Sequence, residues 1–205
     1  MDATPRLTHY SPAIVAILRG IEPREVVEVG KALVDAGIRI VEVPLNSPQA
    51  LTSIERLATT LDGDALVGAG TVLTTASVDD VATAGAKFVV SPTTDAAVIA
   101  RTLQRGLDSM PGVMTPTEAL TAIAAGARHL KLFPASSLGG GHIRALRDVL
   151  PRDCYIWAVG GINAANLAQW TRRGAFGVGI GSSLYRPGRS AGEVGKCAAE
   201  LVGIR

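Results

Sequence analysis

The sequence predicts an α/β fold, a single-domain (β/α)8 TIM barrel, and three observations carry that reading. Short β-branched runs alternate with amphipathic helical patterns eight times, at a spacing of roughly 20–27 residues. One phrase closes helix after helix: Asp35-Ala36-Gly37-Ile38, Thr83-Ala84-Gly85-Ala86 and Ala124-Ala125-Gly126-Ala127, with Arg173-Gly174-Ala175 as a variant. Glycine there suits the left-handed position just past a helix, leading straight into the next strand. No linker or composition break interrupts the 205 residues, so one domain is expected over 1–205, with a short lead-in over 1–12. An open doubly wound sheet uses the same units, but eight regular repeats favour closure.

The units run in order. An aliphatic run over Ala13–Arg19 ends at Gly20, and a 3.6-period pattern over Pro23–Ala36 follows. Arg39–Pro44 is the second strand, with Ser47 as a cap before a helix over Pro48–Leu61. Ala65–Val72 and Val78–Ala84 form the third unit, and Lys87–Ser91 and Ala96–Arg105 the fourth. The fifth strand, Leu107–Pro111, is more polar than its neighbours and has indistinct edges; Thr115 caps the helix over Pro116–Ala125. His129–Phe133 and Ile143–Leu150 are the sixth unit. Tyr155–Val159 precedes a helix over Ala164–Arg173 capped by Asn163, and Gly177–Ile180 precedes the C-terminal helical pattern that holds Lys196.

Composition narrows the function. A hydrophobic fraction of 47% supports a sizeable core, while a net charge of +2 with interspersed signs and 4% aromatics argues against nucleic acid as a partner. No run of 18 uncharged apolar residues is present, so no membrane span is expected. Met1 to Tyr10 lacks the apolar region of a secretion signal, and Cys154 and Cys197 show neither metal spacing nor a disulfide framework, so a cytoplasmic setting is expected. His9, His129 and His142 are scattered, which disfavours a metal-dependent reaction; no metal and no cofactor are expected.

Lys131 is the most informative residue. Only four lysines occur, at 31, 87, 131 and 196, and only Lys131 is enclosed by apolar neighbours inside a strand. Burial there depresses the amine pKa, which suits Schiff-base chemistry on a carbonyl; a buried lysine neutralised by one carboxylate is the plain alternative. Strand alternation puts Val15, Ile17 and Arg19 on one face, as it does Ile40, Glu42 and Pro44; Val67, Ala69 and Thr71; His129, Lys131 and Phe133; and Tyr155, Trp157 and Val159. Arg19, Glu42, Thr71 and Lys131 then converge on the lumen near the mouth, where barrels place their active sites. Taken singly, Glu42–Lys131 is a self-satisfying ion pair, Arg19 a solvated loop residue and Thr71 a turn former. His129 shares the parity of Lys131 but lies deeper, as a core residue.

Two glycine-rich strand ends complete the site. Val159-Gly160-Gly161-Ile162-Asn163 follows the seventh strand, and Gly179-Ile180-Gly181-Ser182-Ser183 closes the eighth. Loops after these two strands often bind phosphate, because glycines let backbone N–H groups approach it, and Ser182 or Ser183 would add a hydroxyl.

Five segments resemble one family, in its order, between about residues 12 and 187: Ala16-Ile17-Leu18-Arg19-Gly20, Val41-Glu42-Val43-Pro44-Leu45-Asn46-Ser47-Pro48, Gly68-Ala69-Gly70-Thr71-Val72, Leu130-Lys131-Leu132-Phe133-Pro134-Ala135 and Ala158-Val159-Gly160-Gly161-Ile162. It is the class I aldolases of 2-keto-3-deoxy-6-phosphogluconate and -galactonate. The resemblance implies a homotrimer without metal that cleaves a phosphorylated keto-deoxy sugar acid to pyruvate and glyceraldehyde 3-phosphate. It makes Lys131 the Schiff-base lysine and Glu42 the general acid/base. Thr71 would hold the pyruvyl carboxylate, and Gly160, Gly161, Gly181 and Ser182 would surround the phosphate. The gluconate branch usually carries Leu-Arg-Thr after its glutamate and Thr before Gly-Gly-Ile. Leu45-Asn46-Ser47, Arg19 and Val159 resemble the galactonate branch instead. The gluconate epimer, activity on both epimers, and a non-catalytic phosphate-binding barrel stand as rivals.

Overall fold

The computed structural model describes residues 6–11, 13–139 and 141–204. Among these residues nine strands form one parallel sheet: β1 (Ile14–Ile17), β2 (Ile40–Pro44), β3 (Leu66–Gly70), β4 (Phe88–Val90), β5 (Asp108–Met110), β6 (Gly112–Val113), β7 (His129–Leu132), β8 (Tyr155–Val159) and β9 (Gly177–Ile180). Their order is β5-β4-β3-β2-β1-β9-β8-β7-β6, so the two edge strands are consecutive in the chain. β5 falls inside the predicted fifth strand, Leu107–Pro111, while β6 lies beyond its expected end, so that strand position runs on to Val113. Pro111 separates them, because it has no N–H to give the ladder. The hydrogen bonding nonetheless carries across the break: Ser91 N donates to Met110 O (3.2 Å) and Lys131 N to Pro111 O (2.9 Å). The barrel thereby closes around eight strand positions, with the fifth kinked.

The helices are α1 (Val26–Asp35), α2 (Ala50–Thr60), α3 (Thr75–Thr83), α4 (Ala96–Gln104), α5 (Pro116–Ala124), α6 (Gly141–Val149), α7 (Leu167–Arg172) and α8 (Ala191–Gly203). Gly37, Gly85, Gly126 and Gly174 have φ between 92° and 103°, the left-handed exits expected of the recurring phrase. Thr115 caps α5 with a full capping box to Glu118. Two expected caps are corrected. Gln49, not Ser47, precedes α2, and the buried Ser47 hydroxyl is occupied by the β1 loop. Asn166, not Asn163, is the N-cap of α7; the Asn163 Oδ1 accepts instead from Ala165 N at 2.9 Å.

Two apolar layers sandwich the strands. Ile14, Ala16, Val41, Val43, Leu130, Leu132, Ile156 and Ala158 face the helices. Val15, Ile17, Ile40, Phe88, Trp157 and Val159 fill the lumen, and Leu7 from a short 3-10 turn (Arg6–His9) packs with them. The expected parity of the first, second, sixth and seventh strands is thus observed. On β3 it is reversed: Leu66 joins the lumen cluster, while Val67 and Ala69 face the helices. Gly68 and Gly70 are the lumen positions, and a Cβ at either would collide with Phe88 or with the Glu42 carboxylate. The lumen needs empty space there, so the aliphatic residues of β3 turn outward. Among the described residues no helix is long and apolar enough to cross a membrane, and no group of three or more His, Cys, Asp or Glu side chains could hold a metal ion.

Candidate active site

A cavity of about 250 Å³ opens at the C-terminal ends of the strands. Seven of the sequence-predicted residues line it: Arg19, Lys131, Val159, Gly160, Gly161, Gly181 and Ser182. Ile17 and Phe133, already on the lumen parity, join them, as do Ile162, Asn163, Gly179 and Ser183. Asn163 was missed as a lining residue because its position before a helix reads as a cap.

Lys131 comes up from β7, 5% exposed, and its Nζ lies 4.7 Å from the centroid of the Phe133 ring. Burial holds its amine below the usual lysine range; the Glu42 carboxylate opposes that shift and the Arg19 cation adds to it. Glu42 sits on β2, 2% exposed, and is not among the residues that line the cavity. Burial raises its carboxyl above the usual range, with Lys131 and then Arg19 pulling it back. Among the described residues the ion pairs within 4 Å do not include Lys131 with Glu42. The pair interacts through its field rather than by contact, and burial drives both groups toward their neutral forms. That is the protonation state in which an amine adds to a ketone.

Arg19 lies past the end of β1, exposed, in the β1–α1 turn. The expected strand reaches too far there: β1 stops at Ile17, and Leu18 N donates to Glu42 O at 2.9 Å as the chain turns. The Arg19 Nη1 donates to the Asn46 Oδ1 at 2.6 Å. Thr71 likewise falls beyond its strand, at φ 56°, an unfavourable conformation for a β-branched residue. It is absent from the cavity lining, so strand parity does not carry it into the site.

The end of the cavity formed after β8 and β9 is built largely from backbone. Gly160 and Gly161 have φ of 99° and 75°, and a Cβ on Gly161 would strike Ser136. Of the two serines after β9, Ser183 is committed, its hydroxyl donating to Ile162 O at 2.6 Å, which ties the two glycine loops together. Ser182 is left as the lining hydroxyl. Below the site, His129 is 1% exposed and belongs to the core as expected: its Nδ1 accepts from Trp157 Nε1 at 3.0 Å, and it stacks on Tyr155.

This arrangement has recognisable relatives. A family model for the KDPG and KHG aldolases matches residues 8–195. The 2-dehydro-3-deoxy-6-phosphogalactonate aldolase of Escherichia coli (strain K12) is 46% identical over 189 residues, covering 92% of each chain. The solved native KDPGal structure superposes with a TM-score of 0.90 at 46% identity, again over 92% of each chain. The KDPG aldolase of Legionella pneumophila, solved with pyruvate captured at low pH as a covalent carbinolamine intermediate, superposes with a TM-score of 0.86 at 27% identity, over 95% of this chain and 96% of that one.

Proposed function

The chain belongs to the KDPG and KHG aldolase family, and from that premise we propose that it cleaves 2-dehydro-3-deoxy-6-phosphogalactonate to pyruvate and D-glyceraldehyde 3-phosphate through a Schiff base on Lys131. It is an aldolase, hence a carbon–carbon lyase. The observation that carries the proposed chemistry is a lysine 5% exposed, held toward its neutral form at the wall of the cavity.

The neutral Lys131 Nζ adds to the C2 ketone to give a carbinolamine, the species captured in the Legionella relative. Loss of water leaves an iminium, an electron sink at C2. The C4 hydroxyl gives up its proton, the C3–C4 bond breaks, and its electron pair moves into the enamine as the aldehyde departs. Glu42 takes that proton and returns one to C3. The proton passes to Glu42 directly or through a water. Hydrolysis of the resulting iminium releases pyruvate and regenerates the amine. Arg19 holds the substrate carboxylate with its planar fork; the family resemblance gives Thr71 a share of that contact, although it stands outside the cavity lining. Gly160, Gly161, Gly181 and Ser182 hold the phosphate, whose remote binding energy orients the reacting bond.

Val159 in the lining supports the galactonate epimer, and identity of 46% to a galactonate enzyme against 33% and 36% to two gluconate enzymes points the same way. Side-by-side kcat/KM on the two C4 epimers tests this: a higher value for the gluconate epimer would overturn it. Pyruvate with borohydride should add irreversible mass at Lys131, and none in Lys131→Ala; no adduct on the wild type would reject the Schiff base. The family resemblance also supports a homotrimer in the cytoplasm. Light scattering should give a mass near three times 21.1 kDa, and a monomer would reject it.

A further inference from the structure

Two residues of the β2–α2 loop reach across to the β1–α1 turn. The Asn46 Oδ1 accepts from the Arg19 Nη1 at 2.6 Å. The Ser47 Oγ accepts from Gly20 N at 2.9 Å and reaches Leu18 O at 3.5 Å. The backbone before and after Arg19 and its side chain are therefore all gripped from one neighbouring loop. That loop is itself anchored, since Leu45 N donates to Gly70 O (2.8 Å) and Ser47 N to Pro44 O (2.9 Å). Ser47 is 7% exposed, whereas Arg19 stands in solvent at the cavity rim. Without a fixed acceptor, a long exposed arginine samples many rotamers, and ordering it on binding costs side-chain entropy.

We propose that Asn46 and Ser47 form a latch that positions Arg19 for the substrate carboxylate, Asn46 by fixing the guanidinium and Ser47 by fixing the turn beneath it. The chemistry of the guanidinium fits: with Nη1 given to Asn46, the Nε–Nη2 edge keeps two parallel donors for a bidentate carboxylate. Neither latch residue lines the cavity, so each acts through Arg19. This rests on the proposed reading of Arg19 as the carboxylate anchor.

The test is the pyruvate concentration that half-saturates borohydride trapping, measured with the limiting trapping rate. Asn46→Leu removes the acceptor at similar size, and the half-saturating pyruvate should rise about five- to tenfold, the net worth of one ordinary hydrogen bond, with the limiting rate within about twofold. Asn46→Asp keeps an acceptor and should stay within about threefold of the wild type. Ser47→Ala should move in the same direction as Asn46→Leu, and Ser47→Thr should restore binding. In an Arg19→Ala background, Asn46→Leu should add nothing further, because its effect passes through the missing arginine. An unchanged half-saturation in Asn46→Leu, a loss confined to the limiting rate, or full additivity with Arg19→Ala would overturn the latch. A wild type that forms no adduct would overturn the Schiff-base reading and the latch together, whereas a trapped wild type with an insensitive Asn46→Leu overturns the latch alone.

Discussion

The carboxyl of Glu42 occupies the space that a side chain at position 70 would fill. Gly70→Ala should therefore displace the carboxyl and slow cleavage roughly tenfold to a hundredfold, while Glu42→Gln, which removes the base but keeps the shape, should cost about 10²–10⁴-fold in kcat and slow adduct formation. Steady-state kinetics on both variants checks the pair; normal turnover in Glu42→Gln would dismiss it as the acid/base. His129 makes a different demand. Its imidazole is pushed down to about 4 by burial, from an ordinary value of 6.5. Between those pH values the unfolded chain binds the extra proton and the folded one does not, so stability falls as pH drops from about 6.5 toward 4. The loss reaches on the order of 3 kcal/mol. Protonation also removes the Nδ1 acceptor that Trp157 uses at 3.0 Å. Urea midpoints at pH 7.5 and 4.5 should show that loss, and His129→Phe should flatten the difference.

At the scale of elements, legibility in the sequence followed how much each boundary depends on its own residues. Tyr155–Val159 and Gly177–Ile180 are strands over their expected residues, and Thr115 caps α5 as expected. Thr115→Ala should lower stability by about 1 kcal/mol, read as a shift in urea midpoint with kinetics unchanged. Where boundaries answer to neighbours, the structure departs from the local pattern. The run over Ala13–Arg19 ends at Ile17 because the ladder to β2 closes with the Leu18 N–Glu42 O bond as the chain turns away, not because its own pattern changes. Ser47 has the chemistry of a cap, but a backbone donor from the adjacent loop claims its hydroxyl first. On β3 alternation is present, but its sense was set by the volumes of Phe88 and the Glu42 carboxyl, which residues 65–72 do not encode. Thr71 moved out of the lumen set for that reason.

The whole molecule is a barrel filled from one end and open at the other. Leu7 is fully buried in the lumen cluster, so the segment expected as a mere lead-in supplies part of the interior. Its N–H donates to the Asp108 Oδ2 at 2.9 Å, beside the start of β5 and far along the lumen from the mouth. Leu7→Ala should cost about 2–5 kcal/mol in unfolding free energy while leaving KM within about twofold; a large KM change with intact stability would contradict that division of the lumen. The repeated units, the glycine exits, the buried lysine and the glycine pairs are local patterns, and the sequence by itself determined the barrel, the end at which the cavity opens and Lys131 in its wall. Tertiary structure alone decided the closure through a strand broken at Pro111, the inward sense of β3 that lodges Glu42 against Gly70, and the grip of Asn46 on Arg19. Each of those joins residues far apart in the chain, and they depend on volumes and hydrogen-bond partners that exist only once the strands have closed.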